Sequence, residues 1–192
     1  YIYYLKLKYN LVKMSGLLFL TSKDFFIGKG VQGKILCHNI PSFSLILFYS
    51  TRCQHCNDLL PIFKRLPGTI NNCQFGIINV SSKEGRPVLA MAKETIAPVE
   101  FVPFIILYVG GRPFLRFNGP RDETIIKQFV VETAKKIQER QPFSAGDGVK
   151  QHKKGKGIPE YSLGTPLCGK DKVCYLTEED LLEIERENKG RK

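Results

Sequence analysis

The chain has 192 residues, 29 Lys+Arg against 18 Asp+Glu for a formal net charge of +11 at pH 7, 43% hydrophobic residues and six cysteines. That apolar share lets one domain of ordinary size bury a real core and leaves room for extensions. The cysteines are neither dense enough for a disulfide scaffold nor absent as in a thiol-free enzyme. The positive balance favours anionic neighbours in general without naming any.

Residues 1–13 form a tyrosine- and lysine-rich tract without helix caps, and Met14-Ser15 reads as an initiation site ahead of a first strand, Leu17 to Leu20. The expectation is that residues 1–13 have no folded role. The run Leu17 to Leu20 is shorter than the roughly 7 to 15 apolar residues of a secretory signal, and no apolar run approaches the about 18 of a membrane span. A cytoplasmic or assembly-associated protein is therefore expected. Thr21-Ser22-Lys23-Asp24 reads as a turn or helix cap. From Phe25 to Pro41 the signals are mixed. Gly28, Gly30 and Gly33 interrupt any long helix, no Lys-Ser/Thr pair follows to make a phosphate loop, and Cys37 and His38 are expected at the rim of the core.

Leu45 to Tyr49 is apolar without alternation, as in a central strand covered on both faces. Ser50-Thr51-Arg52 breaks it, and Cys53-Gln54-His55-Cys56 opens a helical pattern through Leu59, Leu60, Phe63 and Leu66. A thiol at a helix start meets unpaired N–H groups and the positive end of the dipole, and both favour a thiolate. With Arg52 and His55 adding positive charge, Cys53 is expected to ionise below the free-thiol value of about 8.5. Cys56, one turn further in, should be the more buried. Cys53 is then the attacking sulfur and Cys56 the resolving one, a pair able to exchange disulfides. A half zinc site is a competing reading, but its nearest partners are only Cys73 and His38, so no metal is expected. A fixed structural disulfide is the other.

Pro67-Gly68 ends the helix, and Gln74 to Val80 reads as a strand with Cys73 beside it as a small hydrophobe. Glu84 to Ile96 is expected to be helical, with Pro87 in its first turn and Val88, Leu89, Ala92 and Ile96 on one face. Phe104 to Tyr108 and Pro113 to Phe117 should pair across Gly110-Gly111. A last helix from about Asp122 to Arg140 turns Ile126, Phe129, Val130, Thr133 and Ile137 inward.

Residues 14–142 resemble a thioredoxin-superfamily domain of the thioredoxin or protein disulfide isomerase type, most clearly from about Leu17 to about Arg140. The resemblance rests on the dithiol after a buried strand, on Pro61 five residues beyond Cys56, and on Val102-Pro103 heading the strand FIILY. It implies a three-layer α/β/α sandwich with a mixed central sheet, carrying N- and C-terminal extensions. It also implies a cis-proline at Pro103 opposite the dithiol, a substrate groove shaped by Val102 and Pro103, thiol-disulfide exchange with protein substrates, and no cofactor. The CQHC dipeptide is closer to the oxidising and isomerising members. Leu47 departs from the pattern: the family carries a buried acid there, six positions before the first cysteine, which helps move the proton of the resolving thiol. A well-placed general base is worth typically 10² to 10⁴, so slow release of mixed disulfides is expected. Arg52 replaces the usual aromatic. The strand and the VPFIILYVGGRP hairpin also resemble thioredoxin-like proteins carried by large DNA viruses, which implies a virion or capsid-associated role docked through the extensions.

Residues 143–157 read as an exposed Gly/Lys linker, and without aromatic interleaving they argue against nucleic acid. Residues 158–192 are a C-terminal extension with a short helix starting near Thr177. In it Cys168 and Cys174 enclose a loop. They are either a second disulfide or two free thiols, or an internal relay for Cys53 and Cys56. A metal site with His152 is weakly supported.

Overall fold

Phe43–Tyr49 forms the strand at the centre of the molecule, and Leu45, Ile46, Leu47 and Phe48 within it have no exposed surface. In this computed structural model the residues described are 16–139, together with the backbone of 160–161 and 174–175. The tracts 1–13 and 143–157, Cys168 and the C-terminal helix lie outside the described residues.

In chain order the strands are β1 (Leu17–Leu20), β2 (Phe25–Lys29), β3 (Lys34–His38), β4 (Phe43–Tyr49), β5 (Cys73–Asn79), β6 (Phe101–Val102), β7 (Phe104–Val109), β8 (Arg112–Phe117), β9 (Glu160–Tyr161) and β10 (Cys174–Tyr175). The helices are α1 (Gln54–Phe63), α2 (Pro87–Lys93) and α3 (Glu123–Gln138). The main sheet has the order β1-β5-β4-β7-β8-β9. Its first three strands are parallel, β7 runs antiparallel to both β4 and β8, and β9 adds parallel to β8.

Side chains alternate across a strand, so β4 serves two cores at once. Leu45 and Leu47 pack with Leu59 and Phe63 of α1 and with Ile126, Phe129 and Val130 of α3. Ile46 and Phe48 pack on the other face with Val88, Leu89 and Ala92 of α2 and with Phe25 and Leu36 of the β2–β3 hairpin. The result is a thioredoxin-like α/β sandwich with a mixed sheet between the two layers. Helix α3 starts where Asp122 Oδ1 accepts from the N–H groups of Thr124 (2.8 Å) and Ile125 (3.3 Å), a side-chain cap that satisfies two otherwise orphan donors.

Two expectations need correction. The stretch with mixed signals is a β-hairpin, paired from Phe25↔His38 to Lys29↔Lys34, and it closes with Gly30 N–H donating to Gly33 O at 2.7 Å. Gly33, at φ 148, supplies backbone freedom that a side chain would deny. Cys37 and His38 accordingly lie inside the core rather than at its rim. The helix expected over Glu84 to Ile96 is only Pro87–Lys93. Glu84 to Arg86 are spent on a turn, where Arg86 N–H donates to Ser82 O at 2.9 Å. Beyond the helix, Ile96 N–H donates to Lys34 O at 3.0 Å instead of continuing the helical ladder.

Candidate functional site

Cys53 is the N-cap of α1, with extended backbone (φ −92, ψ 114), because the chain must turn from β4 into the helix there. Ser50 makes the turn: its carbonyl accepts from Cys53 N–H (3.2 Å) and its hydroxyl accepts from Arg52 N–H (3.2 Å). The Cys53 carbonyl accepts from the N–H groups of Cys56 (3.0 Å) and Asn57 (3.1 Å), which closes the first helical turn. Its sulfur also accepts from Cys56 N–H, at 3.3 Å. A cysteine therefore stands where a serine or aspartate usually caps, with its sulfur held on a donor that a thiolate bonds better than a thiol.

On its other side Cys53 Sγ donates to the carbonyl of Val102 at 3.6 Å. The Val102–Pro103 peptide is cis, and both residues are buried. This is the point at which β6 passes into β7, so the dithiol and the Val102-Pro103 corner meet although 49 residues separate them. Phe101 and Phe104 flank the corner with ring centroids 5.1 Å apart, and the Arg116 guanidinium lies over both rings at 5.4 and 5.3 Å. Nothing in the sequence singled out Arg116, since a basic residue in a strand ordinarily points to water.

Cys53 is 2% exposed and Cys56 0%, so the difference in burial expected between them is very small. Arg52 is exposed and His55 half-buried, one before the cap and one inside the first turn. Tyr49, at the end of β4, borders the pair: burial pushes its hydroxyl pKa up, and the Cys56 sulfur adds to the effect. Leu47 is fully buried in the α1–α3 core, where Leu59 and Phe63 occupy the space around it.

The remaining described cysteines are differently placed. Burial raises the pKa of Cys37, and that of Cys73 is pushed up to about 12. Cys73 belongs to the α1–α3 core, whereas Cys53 and Cys56 belong to the core on the opposite face. His38, the other zinc candidate weighed from sequence, is engaged elsewhere. Its Nδ1 accepts from Ile40 N–H at 3.1 Å, which leaves Nε2–H to donate to Ser44 Oγ at 3.1 Å. Cys174 is described only by its backbone, which pairs with Val102.

The Thioredoxin family profile matches residues 37–132, half of the chain, and this span contains the dithiol, Pro61 and the Val102-Pro103 corner. The chain belongs to the thioredoxin family. It is 37% identical over 173 residues to uncharacterized protein 196R of Invertebrate iridescent virus 6, covering 85% of this chain and 91% of that one. It is 34% identical over 167 residues to uncharacterized protein 020R of Invertebrate iridescent virus 3, covering 85% and 94%. Coverage of 85% exceeds what residues 16–139 contain, so the likeness to these viral proteins runs on into the C-terminal extension. Among solved structures, a mutant thioredoxin from Halobacterium salinarum aligns with a TM-score of 0.44 at 19% identity, over 62% of this chain and 90% of its own. Among the described residues no helix is long and apolar enough to cross a membrane.

Proposed function

We propose that this protein exchanges disulfides in protein substrates through Cys53-Gln54-His55-Cys56. The observation that carries the reading is the double engagement of the Cys53 sulfur, by Cys56 N–H at 3.3 Å and by the Val102 carbonyl at 3.6 Å. As a thiol, Cys53 donates its proton to Val102. On ionisation that bond is lost, while the N–H bond and the helix N-terminus strengthen, with Arg52 and His55 adding positive charge. The thiolate attacks a substrate disulfide, one substrate sulfur departs as a thiolate, and a mixed disulfide forms. Cys56 then attacks Cys53, the Cys53–Cys56 disulfide closes, and the second substrate sulfur is released. The reverse sequence oxidises a substrate dithiol. Val102 and Pro103 shape the groove in which the substrate chain lies extended, and no cofactor is required.

A second reading treats the fold as an interaction module, docked by its extensions into a larger assembly such as a capsid or virion. Leu47 supports it, because an aliphatic side chain there leaves the resolving thiol without the expected acid. The likeness of the C-terminal extension to the iridescent virus relatives supports it as well. Turnover of a model protein disulfide separates the two. Wild type should outpace Cys53→Ser by orders of magnitude; equal rates would leave the module standing.

A further inference from the structure

The C-terminal extension returns to the dithiol. Strand β10 pairs antiparallel with β6 in the register Cys174↔Val102 and Tyr175↔Phe101. Val102 is the residue whose carbonyl accepts from the Cys53 sulfur. Residues opposite one another in an antiparallel ladder have Cα atoms about 4.5 to 5.5 Å apart. The ladder thus places the backbone of a tail cysteine directly across from the residue that holds the attacking sulfur. Upstream, β9 pairs with β8 at Arg116↔Glu160 and Phe117↔Tyr161, so the tail joins this domain at two separate strands.

From this juxtaposition we infer that the tail is a tethered occupant of the substrate edge, and that Cys174 is an internal exchange partner of Cys53. The inference rests on the dithiol reading above. In the oxidised protein the Cys174 thiolate attacks Cys53 Sγ. The Cys53–Cys56 bond breaks, the Cys53–Cys174 bond forms, and Cys56 leaves as a thiolate that takes up the proton Cys174 gave up. One disulfide replaces another, so no outside oxidant enters. Tethering supplies the partner at an effective concentration of order mM. With Cys53 only 2% exposed, a partner already inside the chain has an advantage over one arriving from solution. A ladder of two residue pairs is short enough to be displaced by a substrate strand, so the occupant competes with substrate without sealing the site.

The test is made on the full chain carrying Cys56→Ser, treated with glutathione disulfide, acid-quenched, and mapped by non-reducing digestion and mass spectrometry. Cys53 attacks the glutathione disulfide and becomes glutathionylated; Cys174 then displaces the bound glutathione as a thiolate. The expected product is a Cys53–Cys174 linkage, about tenfold over Cys53–Cys168, as tethering in one register requires. It should be lost in Cys56→Ser/Cys174→Ser and retained in Cys56→Ser/Cys168→Ser. Cys53 that stays glutathionylated, or links to Cys168 instead, overturns the inference and leaves the dithiol reading intact. Cys53 that never reacts removes both. Should Cys56→Ser not fold, wild type is poised across glutathione ratios and alkylated. A Cys53–Cys174 species at intermediate ratios is expected, and its absence at every ratio overturns the inference.

Discussion

Cys53 Sγ stands 3.6 Å from the carbonyl oxygen of Val102, so a helix cap and a strand corner share one hydrogen bond. The contact couples the protonation of the sulfur to the edge of the sheet. A thiol is held by the carbonyl and a thiolate is released from it, just where an incoming chain would need the strand's polar groups. The first consequence is selectivity among the cysteines. Burial raises the pKa of Cys37 and pushes that of Cys73 up to about 12, whereas the Cys53 sulfur already accepts an N–H. Iodoacetamide at neutral pH, followed by peptide mass mapping, should modify Cys53 at least about tenfold faster than Cys37 or Cys73. Equal rates for all three would contradict the assignment of the attacking sulfur.

Leu47 sets the expected speed limit. Leu47→Asp places an acid at the family's position, at a stability cost of several kcal/mol for burying a carboxyl among Leu59 and Phe63. Per folded molecule, resolution of a Cys53 mixed disulfide should accelerate by about 10². Stopped-flow release of a chromophoric thiol reads it. An unchanged rate in a folded variant would show that Leu47 is not what limits resolution.

The junction of β4 with α1 was legible because its residues obey two periods at once: an unbroken apolar run for a buried strand, then helical spacing starting at a cysteine. The Phe104 to Phe117 hairpin and the inward face of α3 followed from the same patterning, although Ile137 is half-buried rather than enclosed. The β2–β3 hairpin was not legible. Its strand Lys34–His38 is buried from Ile35 to His38 without alternation, and its glycines read equally well as loop. Nor does the meeting of Cys53 with Val102 appear in local pattern, since it depends on β4 and β7 lying side by side. The register of β10 on β6 is likewise a long-range fact that no spacing within the tail encodes.

His38 makes the fold sensitive to acid. It is 2% exposed, and desolvation by burial lowers its pKa to about 4 from an ordinary 6.5, with Asp24 opposing the shift. The unfolded chain binds the proton first. The contribution is therefore complete above pH 6.5 and is lost as pH falls toward about 4, by a total of about 3 kcal/mol. Urea midpoints should drop across that window in wild type and drop less in His38→Gln. Parallel curves for the two would refute the assignment.

Gly110 and Gly111 both sit at positive φ, +57 and +76, but only one of them is crowded. A Cβ on Gly111 would come within 2.0 Å of the His38 carbonyl oxygen, which is backbone and cannot turn aside; on Gly110 it meets nothing within 4 Å. Gly110→Ala should cost about 1 to 2 kcal/mol, the left-handed penalty alone. Gly111→Ala should cost clearly more, with a larger fall in Tm. Equal falls would mean that the loop does not press on β3 as described.

The most direct test of the dithiol is a titration of the Cys174→Ser protein, in which no Cys53–Cys174 species can form, against glutathione ratios, with Cys53 and Cys56 counted by alkylation and mass spectrometry. The account predicts that Cys53 and Cys56 are lost together in one two-electron transition and recovered together on reduction, while Cys37 and Cys73 remain thiols throughout. Loss of either sulfur without the other, or no closure of the pair at any ratio, would contradict it.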